Sequence, residues 1–474
     1  PDVQAQLATI REEYKALKPE DILCIDPCSG SGHILAYMFD VLVQIYEAYG
    51  VDTRTAVASI VENNIYGLDI DDRAAQLAYF AVMMKACQYD KRFLRRKVQP
   101  HVYAIVESNH VDPNVVDYFC NGDAKLKEAM DTIISELHDA KEYGSILTVT
   151  PQDWSALYDR FAEIAEDINM SREAALRELL PLVQVAEALA QKYDVVVTNP
   201  PYMGGRNMNG KLLNKIVKDY PSGKADLFSA FILRTSYMTK KNCYTSMITQ
   251  HSWMFLSSFE ALRKEFLNTN LINMCHLGPR AFEEISGEVV QTTTWISRKS
   301  NLQGLKGSYV RLVNYDSQNE KEKRYLEGEA PRYNVAQSQF DNIPGSAFAY
   351  WLGNPNVFIQ GKLLEQVANP RQGMKTLDND YYIHFWYEVS RDNIMFTAVD
   401  SQEAKLTRCK WFPINHGGEY RKYYGNNYNV VNWYNDGAEM KANAIRKYNS
   451  ITRTITNMAY YFKPGITWSV ICSY

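Results

Sequence analysis

Ile22-Leu23-Cys24-Ile25-Asp26-Pro27-Cys28-Ser29-Gly30-Ser31-Gly32-His33-Ile34-Leu35 decides the fold of this 474-residue chain. A short apolar strand, Leu23 to Asp26, runs into a glycine turn, and an apolar helical stretch follows through about Ile45. Gly30 and Gly32 tolerate positive φ and let a ligand approach the backbone closely. The start of the helix that follows offers free N–H groups. The spacing is not Gly-x-Gly-x-x-Gly, and no Lys-Ser or Lys-Thr follows, which argues against a P-loop. Asp26, with Pro27, Cys28 and Ser29 beside it, places a carboxylate where a cationic ligand can meet it. S-adenosylmethionine carries an ammonium and a sulfonium, so it suits this turn better than a polyphosphate does.

The next strand points the same way. Asn64 to Ile70 ends in Asp69, and a helix begins at Asp71 or Asp72. An acid closing the second strand of a doubly wound sheet is the ribose-binding position. The competing role for Asp69 is a helix cap, which Asp71 or Asp72 fills equally well. A third strand, His101 to Glu107, leads to Ser108 and Asn109. Strands alternating with helices imply a parallel sheet with right-handed crossovers. Ligands then bind at the carboxyl ends of the strands.

A fourth strand, Tyr193 to Thr198, ends in Asn199-Pro200-Pro201-Tyr202. Successive prolines lack backbone donors and stop a strand ladder. The bland reading is a tight turn. The chemical reading is a rigid corner with free carbonyls and an aromatic ring, which suits a planar amino group. Asp26, Asp69 and Asn199 all fall at expected strand ends, so the fold would gather them at one edge.

These motifs carry a resemblance. Asp26 to Gly32 and Asn199 to Tyr202 resemble motifs I and IV of the S-adenosylmethionine-dependent amino methyltransferases, in the order of the gamma DNA adenine enzymes. Asn199–Gly205, Lys224–Arg234, His251–Phe255, Gly345–Leu352 and Gln372–Asn379 are similar to the PglX-type adenine methyltransferases of BREX phage-defence systems. The resemblance covers most of the chain. It implies S-adenosylmethionine as cofactor, bound through Asp26, Pro27, Cys28, Ser29, Gly30, Gly32, Asp69 and Ile70. One of Glu107, Ser108 and Asn109 would hold the adenine of the cofactor. Double-stranded DNA and other BREX proteins are the implied partners. The family also carries a cofactor-pocket segment before motif I, usually with a Thr-Pro pair. Nothing in the roughly twenty residues before the turn matches it, so a fragment of a longer protein is expected.

Composition agrees. A chain of 474 residues is long enough for two or three domains, and 46% hydrophobic residues suffice for a sizeable core. No apolar run is long enough to span a bilayer, so no membrane partner is expected. The eight cysteines fall singly without Cys-x-x-Cys. That argues against zinc and for a reducing cytoplasm. The net charge of −4 excludes a uniformly basic nucleic-acid protein, though a local basic face would serve.

The expected fold is therefore α/β: a Rossmann-like doubly wound methyltransferase sheet over 1–342, with a helical insertion at about 111–192. A mixed, β-rich target-recognition region starts at 343. Within the insertion, Ala124–Lys141, Trp154–Ile168 and Ser171–Gln191 have helical pattern, and Tyr143–Leu147 resembles a family segment. After the corner, Met203 to Gly210 is expected to be a mobile loop, followed by Lys211, Lys215 and Lys218, which are candidates for phosphate contact. Val289 to Ser297 is expected to be the last strand of the sheet. Past 343, Tyr381, Tyr382, Trp386, Tyr387, Trp411, Tyr420, Tyr423, Tyr424, Tyr428, Trp433 and Tyr434 are interleaved with Arg408, Lys410, Arg421, Lys422, Arg446, Lys447 and Arg453. Such a mixture suits stacking and phosphate contact. A packed core with a solvated rim is the plainer account of any single residue.

The corner suggests a mechanism. Hydrogen bonds from an adenine amino group to Asn199 Oδ1 and the Pro200 carbonyl would localise the nitrogen lone pair for in-line attack on a methyl group. Orientation then does most of the catalysis. The base must leave the duplex, and Tyr202 would stack on it. Cytosine-amino and protein-glutamine methyltransferases share this chemistry. A DNA-binding scaffold with little turnover of its own is the alternative from another class.

Overall fold

In the computed structural model, residues 3–168, 170–282, 290–354, 356–362, 364–418, 421 and 424–467 are described. The chain forms two compact units, Pro1–Gly361 and Lys362–Tyr474. The break between them falls after Gly361, and Phe348 and Tyr350 are buried in the core of the first unit.

The first unit is built on one nine-stranded sheet. Its strands are β1 (Cys24–Asp26), β2 (Ile65–Asp69), β3 (His101–Ala104), β4 (Tyr193–Thr198), β5 (Thr239–Gln250), β6 (Asn270–Gly278), β7 (Thr292–Arg298), β8 (Lys306–Arg311) and β9 (Arg332–Ala336). Their order is β3-β2-β1-β4-β5-β7-β6-β8-β9. The pairs from β3 through β5 are parallel. β7 runs antiparallel between β5 and β6. This corrects the expectation that it closes the sheet: β8 and β9 extend the sheet beyond β6. A β-rich run shows that a strand exists but carries no record of which neighbours it pairs with. The expected start of that strand at Val289 lies outside the described residues.

β1 is buried at all three positions, as a strand covered on both faces must be. Helices His33–Ala48 and Asp72–Tyr89 share a core with β1 and β2 that includes Leu35, Phe39, Val82 and Ala86. A second core, containing Ile25, Leu68 and Val196, takes in the helices between β3 and β4. Those helices are Pro113–Cys120, Ala124–Glu136, Ala140–Tyr143, Trp154–Ile164 and Met170–Ala190. The last begins one residue before Ser171, which therefore lies inside the helix rather than capping it. No helix among the described residues is long and apolar enough to cross a membrane.

The second unit carries a three-stranded antiparallel sheet, β10 (Ile383–Phe385), β12 (Asn429–Asn432) and β11 (Trp411–Pro413), in that spatial order. Tyr382, Phe412, Val431, Trp433 and Met440 form its core, which the helix Tyr434–Tyr448 helps to cover.

Candidate active site

β1 and β4 are parallel neighbours, with Cys24 opposite Val195 and Ile25 opposite Val196. The turn after Asp26 and the corner after Thr198 thus leave the sheet side by side. On the other flank of β1, Asp26 lies opposite Gly67, two residues before Asp69. The order reverses between β1 and β4, the position where open α/β sheets form their ligand crevice.

Two carboxylates grip the glycine turn. Asp26 Oδ1 accepts from the Cys28 N–H at 3.0 Å, and Asp69 Oδ2 accepts from the Gly30 N–H at 2.9 Å. The Ser29 N–H reaches the Leu68 carbonyl at 2.9 Å. Gly30 and Gly32 have φ of +52° and +85°, a region that side chains rarely adopt. A Cβ on Gly32 would fall 2.7 Å from the Cα of Ala78, whereas one on Gly30 would meet nothing within 4 Å. Gly32 therefore serves helix packing, and Gly30 leaves open space over the turn. The helix cap belongs to Asp71, whose carboxylate accepts from Arg73 and Ala74.

Asp26 is fully buried, and its carboxylate supports the turn through the Cys28 N–H. Burial pushes its carboxyl up to about 7, and nearby Asp69 adds to the rise. The Thr198 hydroxyl and the Cys28 N–H oppose that rise. Asp26 Oδ2, Ser29 Oγ and Thr198 Oγ1 are all buried without a hydrogen bond of standard geometry, although Thr198 lies close enough to influence the carboxyl. Buried polar atoms normally find partners, so the unmet Ser29 Oγ in the turn, with the poorly partnered Asp26 Oδ2 and Thr198 Oγ1, fits a site that a bound polar group completes. Pro27 is buried, Cys28 and Asp69 are half-buried, and Ile70 is exposed. Tyr143-Gly144 returns to this edge: a Cβ on Gly144 would lie 3.4 Å from Ile70 Cδ1.

Ser108 and Asn109 are engaged elsewhere. The Ser108 hydroxyl is buried and donates to the Ile134 carbonyl at 2.5 Å. Asn109 Nδ2 donates to Asp139 Oδ1 at 3.1 Å, and the Asp139 N–H returns to Asn109 Oδ1 at 2.7 Å. Both residues fasten the strand end to the helical segment. Glu107 is half-buried.

At the corner, Asn199 and Pro201 are exposed, Pro200 is buried and Tyr202 is half-buried. The Tyr202 hydroxyl lies 3.2 Å from Asn199 Oδ1 and 3.4 Å from the Ile248 carbonyl. Its ring stands edge-on to Phe228, with centroids 5.9 Å apart. Sequence reasoning missed the residue that holds this arrangement. Asp226 Oδ1 accepts from the Met203 N–H at 2.9 Å and the Phe228 N–H at 3.3 Å, capping the helix Leu227–Met238. The Leu227 N–H then bonds the Met203 carbonyl at 2.9 Å, and the Gly205 N–H bonds the Ala225 carbonyl at 3.2 Å. Burial raises the Asp226 carboxyl, against the backbone donors that favour its charge. An aspartate directly before an apolar helix was the available signal.

These bonds tie down the first half of the loop expected to be mobile. Two of its three lysines are paired: Lys211 lies 2.8 Å from Asp139 and Lys215 lies 2.8 Å from Asp219. Lys218 is exposed. Just past β5, His251 Nδ1 lies 2.8 Å from His276 Nε2, and His276 Nδ1 lies 3.1 Å from the Tyr350 hydroxyl. Burial lowers both imidazoles, to about 4 and about 3, with His251, Arg311 and Lys321 adding to the effect at His276.

In the second unit the aromatic residues divide. Tyr382, Trp411 and Trp433 are buried, while Tyr381, Trp386, Tyr387, Tyr424, Tyr428 and Tyr434 are exposed. Arg408, Lys410, Arg446, Lys447 and Arg453 are exposed as well. Tyr420, Lys422 and Tyr423 lie outside the described residues.

The sheet order, with its antiparallel β7, is that of the Rossmann-like methyltransferase fold. Comparison with known proteins shows what the chain is similar to. Residues 63–282 match the Eco57I restriction-modification methylase family. Along its whole length the chain is related to the adenine-specific methyltransferases PglX and BrxX. It is 38% identical to PglX of Lacticaseibacillus casei (strain Zhang), over 100% of this chain and 40% of that protein. It is also 38% identical to BrxX of Escherichia coli O9:H4 (strain HS), over 99% of this chain and 40% of that protein. The chain thus spans about 40% of the length of these curated relatives. Among solved structures, the Type ISP restriction-modification enzyme LlaGI aligns over 77% of this chain and 32% of its own, at 12% identity and a TM-score of 0.47.

Proposed function

We propose that this chain carries the catalytic part of a site-specific DNA adenine N6-methyltransferase that uses S-adenosylmethionine and marks self DNA in BREX-type phage defence. The observation that carries the reading is the adjacency of the glycine turn on β1 and the Asn-Pro-Pro-Tyr corner on β4, with Asn199 exposed between them and the crevice. When bound, S-adenosylmethionine supplies an electrophilic methyl group. Gly30 and its open space, Asp69 and Ile70 would receive the nucleoside part, with Asp26, Ser29 and Thr198 beneath the turn. The unmet buried oxygens and the uncovered Gly30 are what make these residues fit such a ligand.

On the substrate side, Asn199 Oδ1 and the Pro200 carbonyl accept the two amino hydrogens of an adenine turned out of the duplex. Those bonds localise the nitrogen lone pair and aim it. Tyr202 offers a ring face for the base. Its hydroxyl donates to Asn199 Oδ1 at 3.2 Å, which fixes the amide's rotamer and leaves that oxygen a second lone pair for the substrate. Asp226 holds the backbone of Met203, directly after Tyr202.

The test uses unmethylated DNA and labelled S-adenosylmethionine, with the full-length protein and its operon neighbours. Label on adenine is the expected outcome. Label on a protein glutamine would instead support a protein methyltransferase, and label on cytosine a cytosine-amino enzyme. Asn199→Ala should abolish transfer while leaving cofactor affinity within about twofold, and unimpaired transfer by this variant refutes the corner chemistry.

A further inference from the structure

The second unit exposes four aromatic residues at adjoining backbone positions, three of them in ring contact with one another. Phe385, Trp386, Tyr387 and Tyr428 are 40%, 42%, 62% and 48% exposed. Phe385 and Tyr387 lie parallel, with ring centroids 5.2 Å apart and planes 6° from each other. Trp386 meets Tyr387 edge-on at 5.7 Å. Phe385 ends β10, an edge strand of its three-stranded sheet. Three large rings of that unit, Tyr382, Trp411 and Trp433, go into its core, while Tyr381, Tyr424 and Tyr434 are exposed like these four. Phe385, Trp386 and Tyr387 differ from those other exposed rings in being consecutive and in mutual contact.

The cluster is also held in place. The Phe385 N–H donates to Glu388 Oε2 at 2.8 Å, and the Trp386 N–H donates to the Tyr428 carbonyl at 2.8 Å. The His384 ring below packs edge-on against Trp411 at 4.9 Å. A contiguous exposed aromatic surface on a pinned turn marks an interaction site. What it takes is narrowed by charge. Residues 362–474 contain 14 Lys and Arg against 10 Asp and Glu, although the chain as a whole is net −4. The excess positive charge of the protein's acidic sequence is thus gathered on the unit that carries the rings. Flat exposed rings on a basic module are the combination that binds unpaired nucleobases, stacking supplying affinity with little dependence on sequence.

We propose that Phe385, Trp386, Tyr387 and Tyr428 form a stacking platform for an unpaired base of DNA. The proposal rests on the DNA-methyltransferase reading. It adds a second place where DNA is read in its unpaired form, apart from the Tyr202 corner. A sequence-tolerant ring surface stabilises DNA whose bases are unpaired.

The experiment measures binding of the full-length protein to an unmethylated duplex and to the same duplex carrying one bulged adenine or thymine. The wild type is expected to prefer the bulged duplex by about tenfold, the factor that one stacked base supplies. Trp386→Leu combined with Tyr387→Leu keeps an apolar surface but removes the π faces. This variant should lose the preference while binding the intact duplex within about twofold. Trp386→Tyr alone should retain most of the preference. 2-Aminopurine placed in the bulge should be quenched by the wild type and not by the double leucine variant. Equal affinity of the wild type for both duplexes overturns the platform, and so does an unchanged preference in the double variant. A double variant that keeps the preference but loses self-association or a protein partner assigns the rings to a protein interface and overturns it as well. Absence of binding to either duplex by the wild type is a different result: it removes the DNA reading itself.

Discussion

At the scale of single residues, Asp26 shows how burial changes a role. The sequence placed a carboxylate where a cationic ligand could meet it, and the fold enclosed that carboxylate under the turn. Its ionisation is penalised by lost solvation and by Asp69, which lifts the carboxyl to about 7. An unfolded aspartate titrates near pH ~4. Between those values the folded protein holds a proton that the unfolded chain releases, so the stabilising contribution is complete below pH ~4 and is lost as pH rises through about 7. His251 and His276 act in the opposite sense. Their folded values lie below the ordinary one, so their contribution is present above pH ~6.5 and lost on acidification. Asp26→Asn isolates the first effect. The difference in Tm, variant minus wild type, should increase between pH 4 and pH 8, because only the wild type must bury a charge as pH rises. Thermal melts across that range check it, and a difference that stays flat with pH contradicts the assignment.

At the scale of elements, the corner depends on the start of the helix Leu227–Met238 as much as on β4. Asp226 serves both the Met203 N–H and the Phe228 N–H, and the pairing of Met203 with Leu227 draws the loop onto that helix. Asp226→Ala leaves these partly buried donors unmet, which should cost about 1–3 kcal/mol of stability. The same change should reduce methyl transfer at least tenfold by loosening Asn199 and Tyr202, while Asp226→Asn, which keeps an acceptor, should lie between the two. Denaturant melts and single-turnover transfer measure the pair of effects. A fully active, less stable Asp226→Ala would mean that the helix start is a structural cap alone. The strand ends and the glycine turn were legible before any coordinates, because Gly-rich and Pro-Pro punctuation interrupts apolar runs in a way few structures tolerate. Asp226 was not, since its partners sit 23 residues upstream at Met203 as well as in its own helix. Ser108 and Asn109 are cofactor-contact candidates by position, and the packing of the helical segment adds their bonds to Ile134 and Asp139.

At the scale of the whole molecule, the chain is a large sheet unit followed by a smaller one. Residues 353, 354, 356, 358, 360–362 and 364–371 are all exposed around the break after Gly361. An exposed connection between two separate cores is where a protease cuts first. Limited proteolysis should therefore give its earliest cleavage within 353–371, read by mass spectrometry, and leave the sheet unit resistant. First cleavage inside β1 to β7 would show that the sheet is not the more stable body. Composition changes near 343, with more Pro, Asn and Gly, while Phe348 and Tyr350 pack in the first core. Composition reports local preference, and a domain ends where its contacts end.

The sequence by itself determined the class of fold, the glycine turn, the Asn-Pro-Pro-Tyr corner and the chemistry those groups suit. Each of these is a local property: a period, a breaker, or a motif read within a few residues. Only the tertiary structure decided that β7 lies between β5 and β6, that Asp26 is enclosed, that Asp226 fastens the corner, and which rings of the second unit stay outside. Those facts depend on pairing, burial and capping between residues far apart in the chain, where the free energy of one side chain is set by neighbours that its own segment does not name.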